Sequence, residues 1–306
     1  LERRPFGNVL VTSASRKTPL IQALQRAAAK LQAGIRVVAG DADPEALARY
    51  VADDFWVMPR TVPAQLQALI SGCRERDIRV VIPTRDGELA FWAGNREEFA
   101  RHGIAVAVSP LESVETCLDK LTFSRFGRDR GLPFIPSAET PDEVGPGPYV
   151  VKERFGAGSR EIGLDLDRAA ALAHAARLSA PIFQPMIQGR EISIDAWLDR
   201  SHRVKGLVLR RRDKVVNGES QVTTTFRNPE IEQTAARVLE ALKLNGPVVL
   251  QAIIDGDGRV HVIECNSRFG GASTAGIAAG LDVFYWTLLE AGGADLDAHP
   301  FRRSER

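Results

Sequence analysis

The order of the first elements constrains this chain most. From Asn8 to Val108, short apolar runs alternate with Ala- and Leu-rich stretches. Asn8-Val9-Leu10-Val11-Thr12 reads as a buried parallel strand, because its apolar residues run without alternation. Polar residues follow, Pro19 suits the first turn of a helix, and Leu20 to Leu31 has helical composition, closed by Gly34. Ile35 to Ala39 is the second strand, Asp77 to Ile82 leads into a third, and Ile104 to Val108 is a fourth. Helical stretches near 61–75 and 86–101 lie between them. Such a βαβ series predicts a doubly wound α/β sheet, with its ligand site beyond the carboxyl ends of the strands.

The character changes near Ser109. Ser113 to Gly131 reads as one helix with Lys120 inside it. Leu132 to Pro148 is a loop, marked by Pro141-Asp142 and Gly145-Pro146-Gly147-Pro148. Hairpin-like strands then dominate: 149–152, 182–186, 191–198, 205–210, 248–254 and 259–266. Few helices are expected among them, so this half is α+β in style.

Size and charge narrow the function classes. The 306 residues suffice for two or three packed units. Lys plus Arg is 40 against 39 acidic residues, which gives no sign of a nucleic-acid partner. No apolar run approaches ~18 residues, so no membrane helix is expected. Leu1 to Pro5 lack a signal-peptide core. Cys73, Cys117 and Cys265 are too few and too scattered for a disulfide framework or a zinc site, which points to a reducing, cytoplasmic setting.

Four segments could carry chemistry. In Lys152-Glu153-Arg154-Phe155-Gly156-Ala157-Gly158-Ser159, a lysine ends a strand and a glycine-rich loop follows. Glycines let backbone N–H groups approach phosphate oxygens closely, and the lysine adds a point charge. No Gly-Lys-Ser/Thr ends the loop, so it is not a Walker sequence. The second segment, Leu250 to Arg268, holds Asp255-Gly256-Asp257-Gly258 between two apolar runs, a hairpin signal. A turn symmetric about Gly256 and Asp257 pairs Gln251 with Val262 and Val249 with Glu264. Gln251, Glu264 and Asn266 then share one face. Three oxygen-bearing side chains gathered there suit a hard cation such as Mg²⁺ that also bridges phosphates. Arg268, two residues on, can reach a phosphate with its fork. An EF-hand reading fails, since strands flank the acidic turn and no acid closes the loop.

The third segment, Phe183-Gln184-Pro185-Met186-Ile187 through Gly189 to Glu191, is extended backbone able to pair with an adenine edge, with Glu191 placed to accept from ribose hydroxyls. Taken alone, two strands and a turn explain it as well. The fourth is the basic run Arg210-Arg211-Arg212-Asp213-Lys214, which either binds an anion or forms a solvated face.

In this order the segments resemble the ATP-grasp superfamily, in its carbamoyl-phosphate-synthase-like and carboxylate–amine-ligase branches. The resemblance covers nearly the whole chain. It implies an α/β, Rossmann-like pre-ATP-grasp domain over 1–110, followed by an α+β ATP-grasp fold of two subdomains, 111–186 and 187–306. Ile82-Pro83-Thr84-Arg85-Asp86-Gly87-Glu88-Leu89 resembles a run of the first domain. Lys120 and Lys152 resemble the two basic residues on the nucleotide phosphates, and Gly156, Ala157, Gly158 and Ser159 the phosphate loop. Gln184, Pro185, Met186 and Ile187 resemble the adenine hinge, with Glu191 on the ribose. Gln251, Glu264 and Asn266 resemble ligands of Mg²⁺ or Mn²⁺, and Arg268 the residue that steadies the transferred phosphate. Two departures stand out. Glu153 follows Lys152 where relatives have proline, and Gln251 holds a position that is often a carboxylate.

The resemblance implies a ligase that turns a carboxylate or bicarbonate into an acyl phosphate with Mg·ATP, for attack by an amine. Its partners would be small-molecule substrates and a second copy of the chain. Arg85, Asp86 and the run 210–214 are the expected substrate contacts. Cys265 should face away from its neighbours Glu264 and Asn266 into the core. A nucleotide-binding regulatory subunit is the alternative. A dehydrogenase is disfavoured, because Thr12 to Lys17 lacks the Gly-x-Gly-x-x-Gly turn.

Overall fold

The computed structural model describes residues 6–156, 161–216 and 219–304. Its first layer holds β1 (Asn8–Thr12), α1 (Thr18–Leu31), β2 (Val37–Asp41), β3 (Asp54–Val57), α2 (Leu66–Glu75), β4 (Ile78–Ile82), α3 (Asp86–Gly94), α4 (Arg96–Arg101) and β5 (Ala105–Val106). The five strands form one parallel sheet in the order β3-β2-β1-β4-β5. The chain changes direction across the sheet between β1 and β4, and the crevice there opens at their carboxyl ends. The sequence pattern fails to show β3, whose Asp-Phe-Trp-Val buries only Trp56 and lies at the sheet edge. The fourth expected strand shrinks to the two residues of β5.

Residues 111–129 form two helices rather than one, α5 (Leu111–Leu118) and α6 (Lys120–Asp129). Asp119 between them is extended, and its carboxylate accepts from Leu121 N and Thr122 N. An N-capping aspartate thus restarts the helix, and Lys120 opens α6 instead of lying mid-helix.

β6 (Tyr149–Glu153), β7 (Gly163–Leu166), α7 (Arg168–Ala175) and β8 (Pro181–Pro185) follow, and their strands form an antiparallel sheet in the order β7-β6-β8. Then come β9 (Gly189–Leu198), β10 (Val204–Val216), β11 (Glu219–Phe226), α8 (Pro229–Ala241), β12 (Gly246–Asp255) and β13 (Val260–Asn266). These strands make a second antiparallel sheet, ordered β11-β10-β9-β12-β13. One face is apolar: Ile192, Ile194, Leu209, Leu250 and Val262 bury themselves against α8 and the 123–134 segment. Period-2 alternation turns Glu191, Ser193, Asp195, Arg210 and Gln251 to the other face.

α9 (Thr274–Ala278) and α10 (Val283–Ala291) bring the chain back to the first sheet. Leu20, Ile21, Leu24, Ala27 and Ala28 make one stripe of α1, and they share a core with Phe284, Trp286 and Leu288. Trp197 and Val208 reach the same core from the polar face of the second antiparallel sheet. The N-terminal layer and that sheet are therefore welded through a common apolar cluster.

Candidate functional site

Two lysines meet where β6 ends and α6 begins. Lys152 is 5% exposed and, among the described residues, its ammonium makes no hydrogen bond. Burial pushes its ammonium down to about 8, with the nearby Lys120 charge adding to the fall and Glu264 opposing it. Glu153, the unexpected neighbour, accepts from Ser179 N at 2.6 Å and Ala180 N at 3.0 Å, so it fastens the turn before β8.

Lys120 reaches the same place by a different route. Arg154 Nε donates to Asp119 Oδ1 at 2.7 Å, tying the start of α6 to the end of β6. Burial alone would raise the Asp119 carboxyl, but hydrogen bonds from Arg154 and Thr122 outweigh it and hold it at about 2. Lys120 Nζ then donates to Gly156 O at 2.8 Å. Its own pKa is lowered by burial, against the charges of Glu264, Asp86 and Asp119.

The oxygen-bearing side chains come from β12 and β13. Gln251 pairs with Glu264 and Val249 with Asn266, which corrects the expected register by two residues. The turn is one cause: Asp255 N donates to Arg259 O, leaving a three-residue loop with Gly258 at φ +81°. A bulge between Gln251 and Ala252, opposite Ile263, is the other. Each moves the register by one, so the two together preserve the face. Gln251, Glu264 and Asn266 stay on the polar side, while Val262 and Cys265 both join the apolar core. Asn266 Nδ2 donates to Glu264 Oε1 at 3.3 Å.

A cavity of 220 Å³ joins these parts. Asp86, Lys120, Gly156, Glu264, Asn266 and Ser267 are among its lining residues. Ser267 Oγ is buried there and has no hydrogen-bond partner among the described residues. From the first layer, Asp86 accepts from Arg268 Nε at 2.7 Å. Glu88, two residues on and 1% exposed, accepts from Thr12 Oγ1 at 2.9 Å and Thr84 N at 3.0 Å. It thereby fixes the carboxyl ends of β1 and β4 around Asp86.

The expected adenine hinge and the basic run do not line this cavity. Gln184 is buried and donates to Ser137 Oγ at 2.7 Å, and Met186 N donates to Pro148 O at 2.9 Å. Among the described residues, Ile187 N, Met186 O and Ile187 O make no backbone hydrogen bond, which leaves a donor and acceptors within Gln184–Ile187 for a base edge. Glu191 is ion-paired with Arg212. Arg210 is not a solvated charge: its fork grips Asp195 at 2.6 and 3.0 Å, both side chains 3% exposed. A Cβ at Gly276 would lie 2.8 Å from Asp195 Oδ2, so glycine there admits the ion pair. Ala157, Gly158 and Ser159 of the expected phosphate loop lie outside the described residues.

The residues fit the groups the resemblance implies. One carboxylate and two amides form a hard-oxygen set that leaves further positions to phosphate oxygens and water, which suits Mg²⁺. Among the described residues there is no group of three His, Cys, Asp or Glu side chains that could enclose a metal alone. A buried lysine, Lys152, and a half-buried one, Lys120, beside that set call for an anion.

Comparison with known proteins agrees with this geometry. Residues 9–107 match the model of PylC-like N-terminal domains. Residues 178–305 match the model of ATP-grasp proteins in the biosynthetic pathway with the Ter operon. The chain is an ATP-grasp protein. Its α/β first layer followed by the ATP-grasp fold recurs in solved structures. The biotin carboxylase domain dimer of Hydrogenobacter thermophilus 2-oxoglutarate carboxylase, in complex with MgADP, ADP and bicarbonate, is 19% identical, with a TM-score of 0.75 over 98% of this chain and 73% of that one. L-amino acid ligase from Bacillus licheniformis is 18% identical, with 0.72 over 95% and 75%. The ADP complex of N5-carboxyaminoimidazole synthetase from Staphylococcus aureus is 16% identical, with 0.73 over 97% and 80%. No curated protein sequence matches this ATP-grasp chain. Among its described residues no helix is long and apolar enough to cross a membrane.

Ser193, Asp195 and Ser267 are polar residues around the site to which the sequence reading gives no role, and Glu88 enters it only as part of the 82–89 run. All four are buried polar groups. Ser193 and Asp195 carried a signal: they fall on alternate positions of Glu191 to Leu198 and so had to share the face of Glu191. Nothing in the local sequence flagged Ser267.

Proposed function

We propose that the chain is an ATP- and Mg²⁺-dependent ligase that activates a carboxylate, bicarbonate included, as an acyl phosphate for attack by an amine. The observation that carries this reading is Lys152. A buried ammonium with no acceptor among the described residues, beside a second lysine and facing Glu264, is costly unless an anion occupies the space between them. Neighbours with bound ADP and the ATP-grasp match support a nucleotide as that anion.

Lys120, Lys152 and the loop from Gly156 to Ser159 bind the phosphates and neutralise their charge. Ile187 N and Met186 O receive the adenine edge, and Glu191, released from Arg212, accepts from the ribose. Gln251, Glu264 and Asn266 hold the metal, which when bound draws charge from the phosphate being transferred. Arg268 presents its fork to the phosphate and acid. The enzyme contributes position and electrostatics, with no nucleophilic side chain required. Segments 1–110, 111–186 and 187–306 form the three functional units, working as a homodimer in the reducing cytoplasm; the three cysteines, all free and buried, fit that setting.

Phosphate and ADP release from Mg·ATP, measured across amino acids, other carboxylates, bicarbonate and ammonia beside a Glu264→Ala control, tests the reading. Release that needs one acid and one amine and disappears in the control is expected. Tight ATP binding without turnover above the control would favour a nucleotide-binding subunit, and absence of Mg·ATP binding would overturn the reading.

A further inference from the structure

Arg268 is not free to meet a phosphate or an acid as it stands. Its Nε and Nη2 both go to the Asp86 carboxylate, Nη2 also reaches Asn266 Oδ1 at 3.3 Å, and Nη1 donates to Phe269 O at 3.0 Å. Asp86 stands in the first turn of α3 and Arg268 just past β13, 182 residues apart, with each side chain 17% exposed. The pair also sets the metal side of the site, because the Asn266 oxygen turned toward Arg268 belongs to the amide that donates to Glu264.

Opening such a pair exposes two partly buried charges at once. A substrate that brought only an anion would release Arg268 and strand Asp86. One that brought only a cation would do the reverse. Of the other cations near Asp86, Lys120 already donates to Gly156 O on the nucleotide side, and the neighbouring Arg85 turns its Nε to Ser13 Oγ at 3.3 Å. Only a molecule with both charges repairs both halves. The cavity beside Asp86 also offers Ser267 Oγ, a buried hydroxyl without a partner among the described residues.

We infer that Asp86 determines acid specificity: Arg268 exchanges Asp86 for an anionic group of the substrate, Asp86 takes an ammonium group on the same molecule, and the acid activated here is an amino acid or another carboxylate bearing a cationic amine. This inference rests on the ligase reading above.

The test compares acids that differ only by an amino group, on the full chain loaded with Mg·ADP. Alanine and propionate, aspartate and succinate, glutamate and glutarate, and lysine and 6-aminohexanoate are such pairs, extended over the common amino acids. Mg·ADP binding is measured first and separately by calorimetry; its absence would overturn the nucleotide reading and this inference with it. Given Mg·ADP binding, at least one amino-bearing acid should bind at least about tenfold tighter than its des-amino partner. Asp86→Asn should bring that ratio close to one, chiefly by weakening the amino-bearing member, while Asp86→Glu keeps part of it. If no pair shows a preference, or if Asp86→Asn weakens both members of a pair equally, Asp86 only orients Arg268 and the inference fails.

Discussion

Lys152 and Arg210 are two buried cations of one fold, and they are treated in opposite ways. Arg210 is 2% exposed, and its fork is matched by Asp195, which also accepts from Ser273 Oγ at 3.0 Å. Lys152 is 5% exposed and has no such partner among the described residues; burial drives its pKa down to about 8. Both basic residues stood out in the sequence, Lys152 as a phosphate binder and Arg210 as part of a run that either binds an anion or faces solvent. The structure separates them by what surrounds each one. A buried charge already matched inside the protein holds elements together, here β9, β10 and the loop before α9. A buried charge left unmatched is a cost the fold carries until a ligand arrives.

Breaking the matched pair should have the largest effect. Arg210→Ala leaves the Asp195 carboxylate buried with only Ser273, and should destabilise the protein by roughly 3–5 kcal/mol in urea unfolding. Replacing both partners with apolar residues, Arg210→Met with Asp195→Leu, should cost far less than the single change. A double variant as unstable as the single would mean the region depends on packing shape rather than on charge balance.

The unmatched cation should respond with the opposite sign. Lys152→Met removes the desolvation cost and should stabilise the nucleotide-free protein near neutral pH by up to roughly 3 kcal/mol, since each pKa unit is about 1.4 kcal/mol. The same change should weaken Mg·ATP binding about 10- to 100-fold, the worth of one hydrogen bond to a charged group. A Lys152→Met variant that loses both stability and binding would show the lysine to be structural after all.

Acid–base titration sharpens the same contrast. The folded pKa of Lys152, about 8, lies below the ordinary lysine value of 10.5. Between those values the unfolded chain binds more protons, so this group's contribution makes stability rise with pH from about 8 to about 10.5. Nucleotide affinity should run the other way. Phosphates favour the protonated ammonium, so the affinity is complete below about pH 8 and falls by up to tenfold per unit above it. Calorimetric Kd values at pH 7, 8 and 9 for wild type and Lys152→Met would check this, the variant being flat.

How far this contrast could be read from the sequence follows from the range of each signal. The parallel strands β1, β2 and β4 announced themselves as unbroken apolar runs, and the Asp-Gly-Asp-Gly turn announced the β12–β13 hairpin. Edge strand β3 did not, because it buries a single tryptophan. Helix α8 could have been seen: Asn228 caps it and Pro229 opens it. The site's lysines and its oxygen-bearing side chains lay within short motifs, and the face shared by Gln251, Glu264 and Asn266 survived an error in register because turn and bulge each added one residue. The pairs Asp86–Arg268 and Asp195–Arg210 join segments 182 and 15 residues apart, and no local pattern encodes them. The fate of a basic residue, matched or unmatched, is thus a tertiary fact.

The smallest expected effect concerns Asp119, which does both jobs at once. It caps α6 through Leu121 N and Thr122 N and holds Arg154, and in doing so it sets where Lys120 points. Asp119→Ala removes the cap and the ion pair and should cost about 1 kcal/mol. Asp119→Asn keeps a capping oxygen and should cost only a few tenths, because Arg154 is partly exposed and such pairs are weak. The carboxyl is held at about 2, below its ordinary value of 3.8. Its contribution is therefore present above that ordinary value and is lost as pH falls toward 2. Urea midpoints at pH 3 and pH 6 should accordingly differ less in Asp119→Asn than in wild type. Equal pH dependence in the two proteins would show that the cap alone positions Lys120 and that the Arg154 pair adds nothing.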